Sequence, residues 1–97
     1  MIDKYVKTTY NVDLSGVAKD LRKLPLHIKR KLYDWIKSID EVGIFETRNQ
    51  RGFRDEHLKG KRSGQRSIRL SRAYRVIYEL DELEKTVVVL EVNKHEY

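Results

Sequence analysis

Residues 86–92 read TVVVLEV, and five of these seven side chains are aliphatic. A run this apolar and this short suits a central β-strand covered on both faces. In a chain of 97 residues, that cover has to come from one sheet and the helices packed on it. The preceding sequence supplies partners. Residues 65–70 alternate, with Ile68 and Leu70 on one face and Ser67 and Arg69 on the other. Residues 74–80 set Tyr74, Val76, Tyr78 and Leu80 against Arg75, Ile77 and Glu79. The acidic segment Asp81–Glu84 makes the turn into the last strand, so the second half is expected to be a three-stranded antiparallel meander.

The first half changes period. Residues 4–11 are rich in β-branched and aromatic side chains and predict a strand. Asp13 and Ser15 are capping residues for a helix beginning just after them. Leu14, Val17, Ala18, Leu21 and Leu24 recur at helical spacing. Pro25 breaks that pattern and is expected to open a second helix at its first turn. Ile28, Leu32, Trp35, Ile36 and Ile39 form the apolar stripe of this second helix, and Gly43 is its stop. Trp35 and the isoleucines are expected in the core, whereas His27 is expected to be structural or partner-facing. Residues 43–64 read as a long connector, of the kind that is functional or partly disordered. The expected fold class is α+β: an N-terminal strand and a helical hairpin packed on an antiparallel β-meander, all in a single domain spanning residues 1–97.

Cysteine is absent, which excludes disulfide stapling, thiolate chemistry and cysteine-based zinc sites. His27, His57 and His95 are far apart and form no metal-ligand motif. The first ten residues, MIDKYVKTTY, hold no apolar leader core, and no stretch approaches membrane-spanning length. A cytoplasmic protein with neither membrane nor metal among its partners is expected.

Charge distribution is more informative than its total of +6. Residues 48–75 hold ten basic residues and two acids, a net of +8, while the other eleven basic and thirteen acidic residues leave −2. Arginines outnumber lysines eight to two in this segment, and arginine favours forked contacts with phosphate. A polyanion, most simply a nucleic acid, is the expected partner. Arg69 and Arg75 could instead pair with Glu79 or Glu91 across the sheet.

Within EHLKGKRSGQRSIRLSRAYRVIYELDELEKTVVVLEVNKHEY, residues 56–97, the ordered pieces HLKG, SG, SIRL, YRVIY and VVVLEVNKHEY resemble the RelE/HigB/YoeB superfamily of toxins from type II toxin–antitoxin operons. The order strand, two helices, three strands resembles the small RelE-like fold of that superfamily over nearly the whole chain. The resemblance implies an mRNA endoribonuclease, or mRNA interferase, that needs neither metal nor cofactor. Many such toxins cut mRNA in the ribosomal A site and so inhibit translation, and a cognate antitoxin, typically acidic and partly disordered, binds and silences them. The chemistry is attack of a ribose 2′-OH on the adjacent phosphate. It needs a base, an acid and cations around the developing charge.

By the same resemblance, Arg75 matches the strand arginine at the scissile phosphate, and Arg69 matches the basic residue on the preceding strand. Glu56 and His57 are both candidates for the base. His95 or Tyr97 is expected as acid or stacking platform. Arg54, Lys59, Lys61, Arg62, Arg66 and Arg72 are expected to bind RNA. Two positions depart from the pattern: Ser67 stands where the RelE branch has a lysine, and Glu96 where YoeB-like members have a histidine. A HigB-like or intermediate constellation fits better. The ParE branch shares the architecture but binds and inhibits DNA gyrase without catalysis. The Glu56/His57 pair and the KHEY ending speak against that alternative. An inactive RNA-binding module is a third reading.

Overall fold

The computed structural model describes residues 10–94. Its elements are β1 (Asn11–Asp13), α1 (Ala18–Arg22), α2 (Leu26–Val42), α3 (Ile44–Arg48), β2 (Glu56–His57), β3 (Arg66–Arg69), β4 (Tyr74–Asp81) and β5 (Thr86–Lys94). One-turn 3₁₀ segments lie at Ser15–Val17, Arg51–Phe53 and Gly60–Arg62. The five strands form one sheet in the order β1-β5-β4-β3-β2. The β3–β4–β5 meander is antiparallel, as expected from the alternation, and β1 lies parallel to β5 on its other side. Among the described residues no helix is long and apolar enough to cross a membrane.

The N-terminal strand is seen at the C-terminal end of the stretch the sequence suggests. Its observed part is Asn11–Asp13, and residues 4–9 lie outside the described residues. At its end the Asp13 carboxylate accepts hydrogen bonds from the Ser15 N–H at 2.9 Å and hydroxyl at 2.7 Å, which starts the turn into the first helix. The helix expected over residues 14–24 is α-helical only from Ala18 to Arg22. In α2, Ile28, Leu32, Trp35 and Ile39 recur on one buried stripe. Pro25 sits one residue before this helix, with φ −56° and ψ 150°. Gly43 ends α2 with φ 87°, a conformation glycine adopts without the Cβ penalty. Its carbonyl then accepts from the Thr47 N–H at 3.1 Å and hydroxyl at 2.7 Å, which folds α3 back against α2.

The connector expected over residues 43–64 is therefore mostly ordered turns and contains both α3 and β2. Ile44, Thr47 and Phe53 anchor it in the interior, but no part is long enough to show a period.

The helices cover one face of the sheet. Trp35 packs on Tyr78 with ring centroids 5.2 Å apart, and Ile68, Leu70, Val76, Val87, Val89 and Val92 complete that core. Strict alternation along β5 would put Glu91 into this layer. A bulge prevents it: Tyr78 pairs with Val89 but Ile77 pairs with Glu91, so Leu90 is the extra residue. Val92 returns to the core, and Glu91 and Asn93 emerge on the opposite face beside Ile77 and Arg75. Val88 and Leu90 stay partly exposed, so β5 is central but fully covered only on the helix side.

Candidate functional site

Alternation along β3 divides the basic segment between two environments. Ser67 and Arg69 face away from the helices, whereas Arg66 and Ile68 face them. In register, Glu56 pairs with Ser67, which pairs with Ile77, and Arg69 stands directly opposite Arg75, whose neighbour on β5 is Asn93. Glu56, Arg69 and Arg75 therefore share the open face.

There they line a concavity of about 120 Å³ with Ser67, Ser71, Arg72 and Tyr74. The β3–β4 turn brings Arg72 to its rim. The Ser71 hydroxyl accepts hydrogen bonds from the N–H groups of Ala73 and Tyr74, both at 3.1 Å, and holds that turn closed. Two like charges directly opposite on neighbouring strands repel. Yet among the described residues no acid forms an ion pair with Arg69 or Arg75. The cross-strand pairing weighed for them is not the one that forms, because Glu91 is held instead by Arg62 at 2.6 Å. The Arg75 Nε is buried with no hydrogen-bond partner among the described residues. Three guanidinium groups, three hydroxyls and one carboxylate thus surround a space the size of a small anionic group.

The helix-side face uses its arginines differently. Arg66 Nε donates to Asp55 at 2.5 Å, and the Asp55 side chain is 1% exposed. The Tyr78 hydroxyl also donates to Asp55, and Arg48 Nε donates to the Tyr78 oxygen at 3.3 Å. Burial, with Asp55 accepting its proton, raises the Tyr78 hydroxyl well above its ordinary 10.0. Burial alone would lower the Arg66 pKa, but the hydrogen bond and charge of Asp55 outweigh it and raise the value. Asp55 is thereby fixed inward, and the next residue, Glu56, projects to the opposite face.

The other expected site residues fall in different surroundings. Arg66, expected to bind RNA, lies on the helix side and is bound to Asp55. His57 pairs in register with Arg66, so it is on the face opposite Glu56 and outside the arginine concavity. Arg62 is drawn to Glu91 and also donates to Gln65 at 3.0 Å. Lys59 and Lys61 are exposed on the β2–β3 connection, away from the concavity. Arg54 and Arg72 are exposed, and both line a second hollow next to the first. His95 and Tyr97 lie outside the described residues.

Ser71, Tyr74 and Asp55 join these sites without being candidates from the sequence pattern. For Ser71 a signal is present, because a serine before a short hairpin connection commonly caps its backbone. Among the described residues no group of three His, Cys, Asp or Glu side chains is placed to hold a metal ion.

Comparisons with known proteins agree with this fold. The family model described as the ParE toxin of the type II toxin–antitoxin system parDE matches residues 15–96. The toxin–antitoxin complex RelBE2 from Mycobacterium tuberculosis contains a chain that is 25% identical, with 90% of this chain and 99% of that one covered at a TM-score of 0.64. The archaeal RelE–RelB complex from Pyrococcus horikoshii OT3 gives 26% identity, 89% and 94% coverage, and a TM-score of 0.68. The YoeB/ParE toxin from Agrobacterium tumefaciens, at 19% identity, shares the fold with a TM-score of 0.66 over 91% of this chain and 99% of its own. No curated protein matches the sequence.

Proposed function

The chain belongs to the ParE toxin family of type II toxin–antitoxin systems, and from that premise we propose that it is an RNA-cleaving toxin held inactive by a cognate antitoxin. The observation that carries this reading is the Arg69–Arg75 pair, without an ion pair among the described residues and accompanied by Glu56 in one concavity on the open face.

The substrate class is single-stranded mRNA, with the ribosomal A site as the setting. The phosphate to be cut lies between Arg69 and Arg75, whose N–H groups donate to its non-bridging oxygens. Glu56 takes the proton of the ribose 2′-OH. The 2′ oxygen forms a bond to phosphorus, and the bond to the leaving 5′ oxygen breaks with its electron pair. That oxygen takes a proton from an acid, for which His95 and Tyr97 are the candidates. The products are a 2′,3′-cyclic phosphate and a 5′-OH end. The two guanidiniums stabilise the extra negative charge of the pentacoordinate state, in the way oriented donors do for other oxyanions. The positive charge this state requires comes from the protein's own arginines.

The family model's description favours one alternative: a ParE-like toxin that inhibits DNA gyrase without cutting anything. A single pair of assays separates the two. Purified toxin should cut mRNA in a translating extract and leave gyrase supercoiling intact, and Arg75→Ala should slow the cutting by about 10²–10³-fold. Loss of supercoiling with intact mRNA would decide for the alternative.

A further inference from the structure

Beyond the arginine concavity, a second hollow of about 270 Å³ opens on the other side of the β3–β4 turn. Lys31, Arg54, Arg69 and Arg72 line it, with no acid among the lining residues. It shares Arg69, Ser71 and Arg72 with the first concavity, so the two form one continuous basic surface around the turn.

Three observations mark it as built rather than incidental. None of its four cations forms an ion pair among the described residues. The Lys31 ammonium, from α2, lies 4.6 Å from the centre of the Phe53 ring, and Phe53 is buried, so the charge is held at a defined place. Arg54 has φ 48° and ψ 54°, a left-handed conformation uncommon for a residue with a side chain. Such conformations persist where the surroundings hold them, and they cluster at ligand-binding sites. Four converging like charges repel one another, and a polyanion relieves that repulsion.

We infer that this hollow is a subsite for the sugar–phosphate backbone of the strand next to the cut phosphate, with Lys31 and Arg54 as its specific contacts. It deepens the proposed function and rests on it in one respect: the strand is the one whose phosphate Arg69 and Arg75 hold. Arg69 and Arg72 border both hollows and guide the strand around the turn. Because the contacts are to phosphates, the subsite extends the bound length without reading base identity.

The test uses the full chain and fluorescein-labelled 2′-O-methyl oligouridylates, which cannot be cut because the attacking hydroxyl is blocked. Anisotropy is measured for a dinucleotide and a hexanucleotide between about 50 and 200 mM salt. The Lys31→Gln/Arg54→Gln double variant should bind the hexanucleotide about tenfold more weakly. Its salt slope should be shallower by about 1.4, at about 0.7 for each phosphate no longer neutralised. Dinucleotide binding should stay within about twofold of the wild type, and Arg69→Gln should weaken both probes. Wild-type thermal melting of the double variant shows that it is folded. Unchanged hexanucleotide affinity and slope would overturn the subsite, and so would equal losses for both lengths. An effect confined to competition by polyglutamate would also overturn it and assign the hollow to an acidic protein segment. If the wild-type chain cuts no RNA but the length-dependent loss is seen, the cleavage reading falls and the subsite stands.

Discussion

Arg66 and Arg69 begin and end the same four-residue strand, and they do opposite things. Arg66 faces the helices, donates to a carboxylate that is 1% exposed, and joins Asp55, Tyr78 and Arg48 in one network. Arg69 faces away, stands across from another arginine and has no acid for a partner among the described residues. The difference comes from strand geometry, since side chains an odd number apart lie on opposite faces. Charge that looks uniform along the sequence is therefore sorted into a structural set and an available set. Binding and chemistry are expected from the second alone.

Paired substitutions put this contrast at risk. The largest effects are expected for its two principal sides. Arg75→Ala should lower RNA cleavage by about 10²–10³-fold, the usual cost of removing one donor from a developing oxyanion. Urea unfolding should place its stability within about 0.5 kcal/mol of the wild type, because no ion pair among the described residues depends on it. Arg66→Ala should instead cost about 3–5 kcal/mol, since it strands the buried Asp55 carboxylate. A domain of this size holds only about 5–10 kcal/mol in all, so this variant should be partly unfolded at physiological temperature. The contrast fails if both variants lose activity while both remain fully stable.

Smaller effects lie within the network. Tyr78→Phe removes a buried hydroxyl that links Asp55 to Arg48 and should cost about 1–3 kcal/mol. It should also change the response to alkali. Because the folded-state pKa of Tyr78 is raised above 10.0, the unfolded chain releases this proton first as pH rises. Wild-type stability from this group is thus fully present below pH 10 and declines above it, toward the folded-state value. Comparing urea midpoints near pH 8 and pH 11 should show a steeper decline for wild type than for Tyr78→Phe. Equal declines would mean that the hydroxyl is not held as described. The smallest effect is expected for Arg62→Ala. Its ion pair with Glu91 joins side chains 43% and 37% exposed, so the loss should be about 0–1 kcal/mol.

Much of this can be read from alternation. SIRL and YRVIY, placed on adjacent strands of a meander, put Arg69 and Arg75 on one face, and the structure makes them direct neighbours. The same parity sets Arg66 apart, but a count of charges treats every arginine alike. Asp55 reads as a minor acid in a basic stretch, and only the tertiary fold shows it buried between Arg66 and Tyr78. His57 looks equivalent to Glu56 until β2 pairs with β3 and sends the two to opposite faces. The bulge at Leu90 leaves no local mark, because it answers a conflict between Glu91 and the core that arises only once β4 and β5 are aligned. The single-turn α3 is too short to show a period.

The most direct test of the available arginine set is 5′-end mapping of cellular transcripts after brief induction of the wild-type chain or of Arg75→Ala, at matched protein levels and with matched thermal melts. Discrete new 5′-OH ends should accumulate with the wild type and be absent with the variant. Full cutting and full growth arrest by Arg75→Ala would contradict the assignment of the open-face guanidiniums to the scissile phosphate.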